Sequence, residues 1–228
     1  MKQARTKAKA TAAVAKPKRA TLDQLKDAYR KVDKLTDDDD SEAALVLLDS
    51  VLAGFDFTPR EAMILADEQI EWVGGCFRMR GTVAVLGPPY ARATALADSE
   101  RDFRTAITWL SLGLSSPGFA YIGLCETLIY EAEDYARGIA EADRGLANRR
   151  LDAKQAGYVK FYITKAKAYA QLALDQLEAA KKTFADATKR SREDRRYRTH
   201  LDEDFDRIET TFPRHAGVVK KLRAGLAA

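Results

Sequence analysis

Histidine and cysteine are the side chains best suited to covalent or metal chemistry near neutral pH, and this sequence holds two of each. His200 sits in a charged stretch and His215 follows Pro213 by two residues. Neither has a serine, cysteine or carboxylate arranged in a known catalytic motif, so both read as surface histidines and no hydrolase is expected. Cys76 and Cys125 lie in the apolar contexts GGCFRMR and YIGLCETLIY, outside any C-x-x-C or Cys/His grouping. They read as buried, reduced thiols, and the expectation is no metal and no cofactor. Gly74, Gly75 and Gly81 lack the Gly-Lys-Ser/Thr ending of a phosphate loop and read as ending a helix or permitting close helix contact. The acidic run at 37–40 lacks the glycine and closing glutamate of a calcium loop and reads as a capping turn. The chain is therefore expected not to be an enzyme.

Charge offers a second kind of chemistry, the neutralisation of anions. Lys2, Arg5, Lys7, Lys9, Lys16, Lys18 and Arg19 give residues 1–20 seven basic groups and no acidic one. Residues 181–198 carry eight basic and three acidic groups, and residues 199–228 five of each. The whole chain is +4, so residues 21–180 hold the balance, −8. The basic tail, together with Arg192, Arg195 and Arg196, has the make-up to contact a phosphate backbone in a salt-sensitive way. It has no aromatic residue for base stacking. An acidic protein, an anionic membrane surface or plain solvation fits the same tail. With almost nothing to bury, residues 1–20 are expected to be disordered. Residues 21–228 are expected to form a single helical domain.

The elements that would position a site are helical by composition and by pattern. Gly (13) and Pro (6) are scarce, and Ala, Leu, Lys, Arg, Glu and Asp dominate, which favours helix. Leu22, Leu25, Ala28, Tyr29 and Val32 recur at helical spacing. Start signals are Asp39 with Glu42, Thr58-Pro59, Ser116-Pro117, Asp152 with Gln155, Asp175 with Glu178, and Pro213. Stop signals are Gly54, the cluster at 87–89 and Asn148. Residues 82–86 could pass as a short strand, but a lone strand has nothing to pair with. About ten helices follow, most joined by links short enough to make antiparallel neighbours.

Three segments align with one another. They begin at Asp102, Asp134 and Gln176. Each has Phe103, Tyr135 or Leu177, then three residues on Ala106, Gly138 or Ala180, and seven further on Gly113, Gly145 or Ala187. Leu110, Ala142 or Phe184 lies between. Small residues one or two turns apart let helices approach closely while larger ones fill the grooves. This run, preceded by an acidic turn, resembles the second helix of a tetratricopeptide repeat. The resemblance covers roughly residues 90–190. Its unit spacings are 32 and 42 residues, against a family period of about 34, and the family's early tryptophan is missing.

The resemblance implies an all-α solenoid of stacked antiparallel hairpins. Its first helices would line a groove that holds a protein or peptide partner. Tyr130, Lys160, Lys167 and Tyr169 would face that groove. The Lys/Asn arrangement by which some family members clamp a terminal carboxylate is not evident. Tyr158, Phe161, Tyr162 and Tyr169 make one helix unusually aromatic. Most should be core, and an exposed subset could anchor a partner. The expected function is a non-enzymatic scaffold or adaptor; the alternative is a nucleic-acid-associated protein gripping phosphate with its basic segments. No secretory apolar core of ~7–15 residues and no apolar run of ~18 residues is present, so the expected location is the cytoplasm.

Overall fold

The computed structural model describes residues 19–55, 64–86, 92–150, 155–191 and 195–227. Ten α-helices lie in them: α1 (Leu22–Asp37), α2 (Ser41–Leu52), α3 (Asp67–Leu86), α4 (Arg92–Leu112), α5 (Gly118–Glu126), α6 (Tyr135–Ala147), α7 (Ala156–Ala173), α8 (Leu177–Ser191), α9 (Arg195–Thr211) and α10 (Ala216–Ala227). A π-helical segment, Thr127–Glu131, continues α5, and a 3-10 turn, Pro213–His215, precedes α10. The described residues contain no strand, so the fold is all-α.

Each helix packs against the next, which makes five antiparallel hairpins from α1/α2 to α9/α10. The odd-numbered helices also touch in series, α1 to α3, α3 to α5, α5 to α7 and α7 to α9, and so form one continuous layer. The even helices lie on the other side, where α4 and α6 are bridged by Arg104–Glu141 (2.9 Å) and by Arg137–Glu100. Buried apolar side chains form two clusters. One runs from α1 to α5 around Trp109, and the other runs from α5 to α10 around Phe161, Phe184 and Phe205. Helix α5 and its π extension serve both, giving Leu124 and Leu128 to the first and Ile122, Cys125 and Ile129 to the second.

The aligned small residues sit where helices meet. A Cβ on Gly138 would lie 2.3 Å from Ile129, and one on Gly145 2.9 Å from Ile163. Ala106, Ala180 and Ala187 are fully buried, as are Ala142 and Phe184 between them. In the first segment, however, Asp102 is mid-helix, ten residues into α4. It is buried and takes a two-pronged bond from Arg80 at 2.7 and 2.9 Å, so there it is an ion-pair partner rather than an acidic turn.

Three hairpins share one turn. Asp39, Glu133 and Asp175 adopt left-handed backbone (φ 58, 54 and 58°) just before α2, α6 and α8. In the first, Asp39 and Asp40 donate N–H bonds to Thr36 and Leu35; in the last, Asp175 and Gln176 donate to Leu172 and Gln171. These pairs are the two bonds of a Schellman cap. In the middle turn the Asp134 N–H reaches Leu128, six residues back, because the π segment widens the helix that precedes it.

The cap of α2 is therefore Asp40, whose carboxylate accepts from Ala43, and not Asp39. Asp175 likewise does not cap α8; its carboxylate accepts from Arg214 at 3.0 Å. Helix α1 carries a full capping box between Thr21 and Gln24 that the sequence reading passed over. Gly54 (φ 86°) and Asn148 end α2 and α6 as expected. Residues 82–86 are neither strand nor loop but the last turns of α3. Gly74 and Gly81 lie inside that helix, where a Cβ would meet Leu110 at 2.7 Å and the Ser99 carbonyl at 3.2 Å, so they permit contact and do not end the helix. The start signals at Thr58-Pro59 and Asp152 and the stop at 87–89 lie outside the described residues.

Candidate functional site on the odd-helix layer

Helical spacing of three and four residues puts each odd helix's polar and aromatic side chains on one face. On α5 and its extension these are Phe119, Gly123, Glu126 and Tyr130, and on α7 they are Tyr158, Tyr162, Lys165 and Tyr169. Because the odd helices touch in series, these faces adjoin.

Toward the N-terminal ends of α5 and α7, an aromatic strip crosses the layer. Arg78 of α3 lies over the rings of both Tyr29 (5.9 Å) and Phe119 (6.0 Å) and donates to the Tyr29 hydroxyl. Phe119 contacts Tyr158 at 5.5 Å between centroids, Tyr158 contacts Tyr162 at 4.5 Å, and Tyr162 contacts His200 of α9 at 5.3 Å. Phe119 and Tyr158 each keep 36% of their surface exposed. Phe161 and Tyr169, from the same aromatic helix, are core.

Further along the layer the polar groups are buried. The Lys165 ammonium donates to both oxygens of Asp204 at 3.2 Å, and both side chains are under one-tenth exposed. The Tyr130 hydroxyl donates to Asp204 Oδ2 at 2.9 Å, and Lys165 also reaches that hydroxyl at 3.3 Å. Burial and the Asp204 carboxylate push the Tyr130 hydroxyl well above its ordinary pKa. Removing either charge alone strands the other in a dry site, at a cost of about 3–5 kcal/mol. Arg207 of α9 stacks over Tyr130 (4.8 Å) and donates to its carbonyl at 2.8 Å.

A cavity of about 370 Å³ opens beside this network. Glu126 and Arg207 line it together with Tyr130, Val85 and Phe103. Gly123 lets the Phe103 ring into this wall, since a Cβ there would fall 2.3 Å from the ring. Burial raises the Glu126 carboxyl above the usual range, and the Lys165 ammonium only partly counters it.

The structure brings Tyr130 and Tyr169 together, with centroids 5.0 Å apart, on the odd layer. It does not bring the two lysines there. Lys167 reaches Asp143 of α6 at 2.5 Å, and Lys160, seven residues earlier, shares that side of α7. Lys2, Arg5, Lys7, Lys9, Lys16, Lys18 and Arg192 lie outside the described residues. Arg195 opens α9 and Arg196 is exposed on it. Arg19 turns inward, donating to the Gly54 carbonyl at 3.0 Å and covering Phe55. His215 is buried rather than at the surface, because the 3-10 turn tucks its ring 3.0 Å from the Asp175 carboxylate. Both cysteines are buried and free. Desolvation pushes the Cys76 thiol to about 12 and raises Cys125 as well.

Sequence reasoning missed Lys165, Asp204, Glu126 and Arg207. A signal existed for the first two: Lys165 falls in the aromatic stripe of α7, and Asp204 in the apolar stripe Leu201, Phe205, Ile208 of α9. A charge in a buried stripe calls for a partner.

Among the described residues no cluster of three potential metal ligands occurs, and no helix is long and apolar enough to cross a membrane. Comparison with protein-family models, with curated proteins and with solved structures finds no match in any of the three.

Proposed function

We propose that this chain is a non-enzymatic scaffold whose odd-helix layer docks a segment of another protein, in the manner of a divergent tetratricopeptide-like array. The observation that carries this reading is the strip Tyr29–Arg78–Phe119–Tyr158–Tyr162, which spans α1, α3, α5 and α7. Aromatic and arginine side chains dominate the anchoring points of protein interfaces. Two adjacent, part-exposed rings on a rigid helical layer supply contact area at little entropic cost. A cytoplasmic setting suits two free thiols in the core.

The test is affinity purification from the native host with wild type and with a Phe119→Ser/Tyr158→Ser variant whose melting temperature is unchanged. One stoichiometric protein held by wild type and lost from the variant is expected. Recovery of wild type alone, or equal recovery with the variant, overturns the reading.

A further inference from the structure

Among the described residues the buried carboxylates are matched by cations. Asp102 is met by Arg80, Glu141 by Arg104 and Arg144, and Asp204 by Lys165. Half-buried Glu126 has no hydrogen bond or ion pair among the described residues, and Arg207, an exposed residue that donates to the Tyr130 carbonyl, has no carboxylate among them within ion-pair distance. Both line the same 370 Å³ cavity, a size within the ~300–1,000 Å³ of small-molecule pockets. Glu131 adds a second carboxylate to the wall, and the remaining surface is mainly apolar, from Val85, Phe103 and the Tyr130 ring. The wall that carries Tyr130 is the π-helical segment; such insertions concentrate at functional sites.

We infer that this cavity binds a small zwitterion, an α-amino acid with an apolar side chain. Its ammonium meets Glu126, its carboxylate meets the Arg207 guanidinium, and its side chain lies against Phe103 and Val85. A carboxylate and a guanidinium too far apart to pair with each other are both satisfied by a molecule that carries the two opposite charges on one α-carbon. A guanidinium also matches a carboxylate in a two-pronged geometry. A ligand with only a positive charge would meet repulsion from Arg207 over the Tyr130 face, and one with only a negative charge would meet Glu126 and Glu131. Burial lifts the Glu126 carboxyl above its ordinary range, and an ammonium beside it would draw it back toward the charged form. The site lies apart from the Phe119–Tyr158 strip, so its fate and that of the docking role are independent.

The test is calorimetric titration of the full chain with leucine, methionine and phenylalanine, and with two single-charge analogues of leucine, 4-methylpentanoate and 3-methylbutylamine. Saturable one-to-one binding of at least one amino acid is expected, with leucine at least tenfold tighter than either analogue. Glu126→Gln should erase the preference over 4-methylpentanoate, and Arg207→Gln the preference over 3-methylbutylamine, each with the circular dichroism of wild type. Three results overturn the inference: no amino acid binds, the analogues bind as well as leucine, or both substitutions leave the discrimination intact.

Discussion

Glu126 shows what an unmatched charge does to a folded chain. In the unfolded state its carboxyl titrates near the ordinary value of about 4.3. In the fold burial raises it; Lys165 and His200 act to lower it and Asp204 to raise it, with Arg207 and Glu131 also on the cavity wall. The folded state therefore binds the proton more tightly than the unfolded state does. Stability attributable to this group is fully present below the ordinary value and is lost as pH rises through the raised one. Glu126→Gln, which keeps the shape and cannot ionise, should have a higher urea midpoint than wild type at pH 8, with the gap closing toward pH 5. A gap that does not change with pH would show that Glu126 is solvated like a surface carboxylate.

At the scale of elements, the repeated hairpin turn carries a measurable strain. A non-glycine residue in left-handed backbone costs about 1 kcal/mol, and aspartate tolerates it better than glutamate. Glu133→Gly should therefore stabilise by up to about 1 kcal/mol in chemical denaturation. Asp39→Gly should gain less. Asp175→Gly should gain nothing, because its carboxylate also holds Arg214 and His215. Equal gains at all three positions would contradict this ranking. These turns also mark how far the sequence could be read. Helix periodicity and the small-residue register were legible because Leu25, Ala28, Val32, Gly138 and Ala187 face packed neighbours at fixed spacing. The left-handed turn was not, because it uses acids where glycine is the usual signal, and so Asp39 passed for a cap. The cavity was not legible either. Glu126 and Arg207 are 81 residues apart in sequence and line one cavity because α5 and α9 both flank α7. Tyr130 and Tyr169 share a face because each lies at helical spacing from its neighbours, whereas the Asp143 partner of Lys167 could not be read, because a lysine's position on a helix does not say which neighbour it reaches.

At the scale of the whole molecule, stacked hairpins fold as a chain of nearest-neighbour couplings, and here one helix sits in both cores. Trp72 and Trp109, the chain's two tryptophans, report on the first cluster, while far-ultraviolet circular dichroism reports on every helix. Because α5 belongs to both clusters, the two signals should give the same urea midpoint in wild type. Leu128→Ala, which empties a buried site on the α5 extension, should lower both midpoints together, with a loss of about 2–5 kcal/mol of stability. Separate midpoints would mean that the halves unfold independently and that α5 does not couple them.

Cys76 belongs to the first cluster and Cys125 to the second. Each is sealed from solvent, and burial suppresses its thiolate. An alkylating reagent reaches such a sulfur only when the surrounding helices part, so its rate of attack follows the opening of that half and not the chemistry of the thiol. The chain thus carries two internal clocks, one in each cluster, which mass spectrometry can read in the intact protein without any added label.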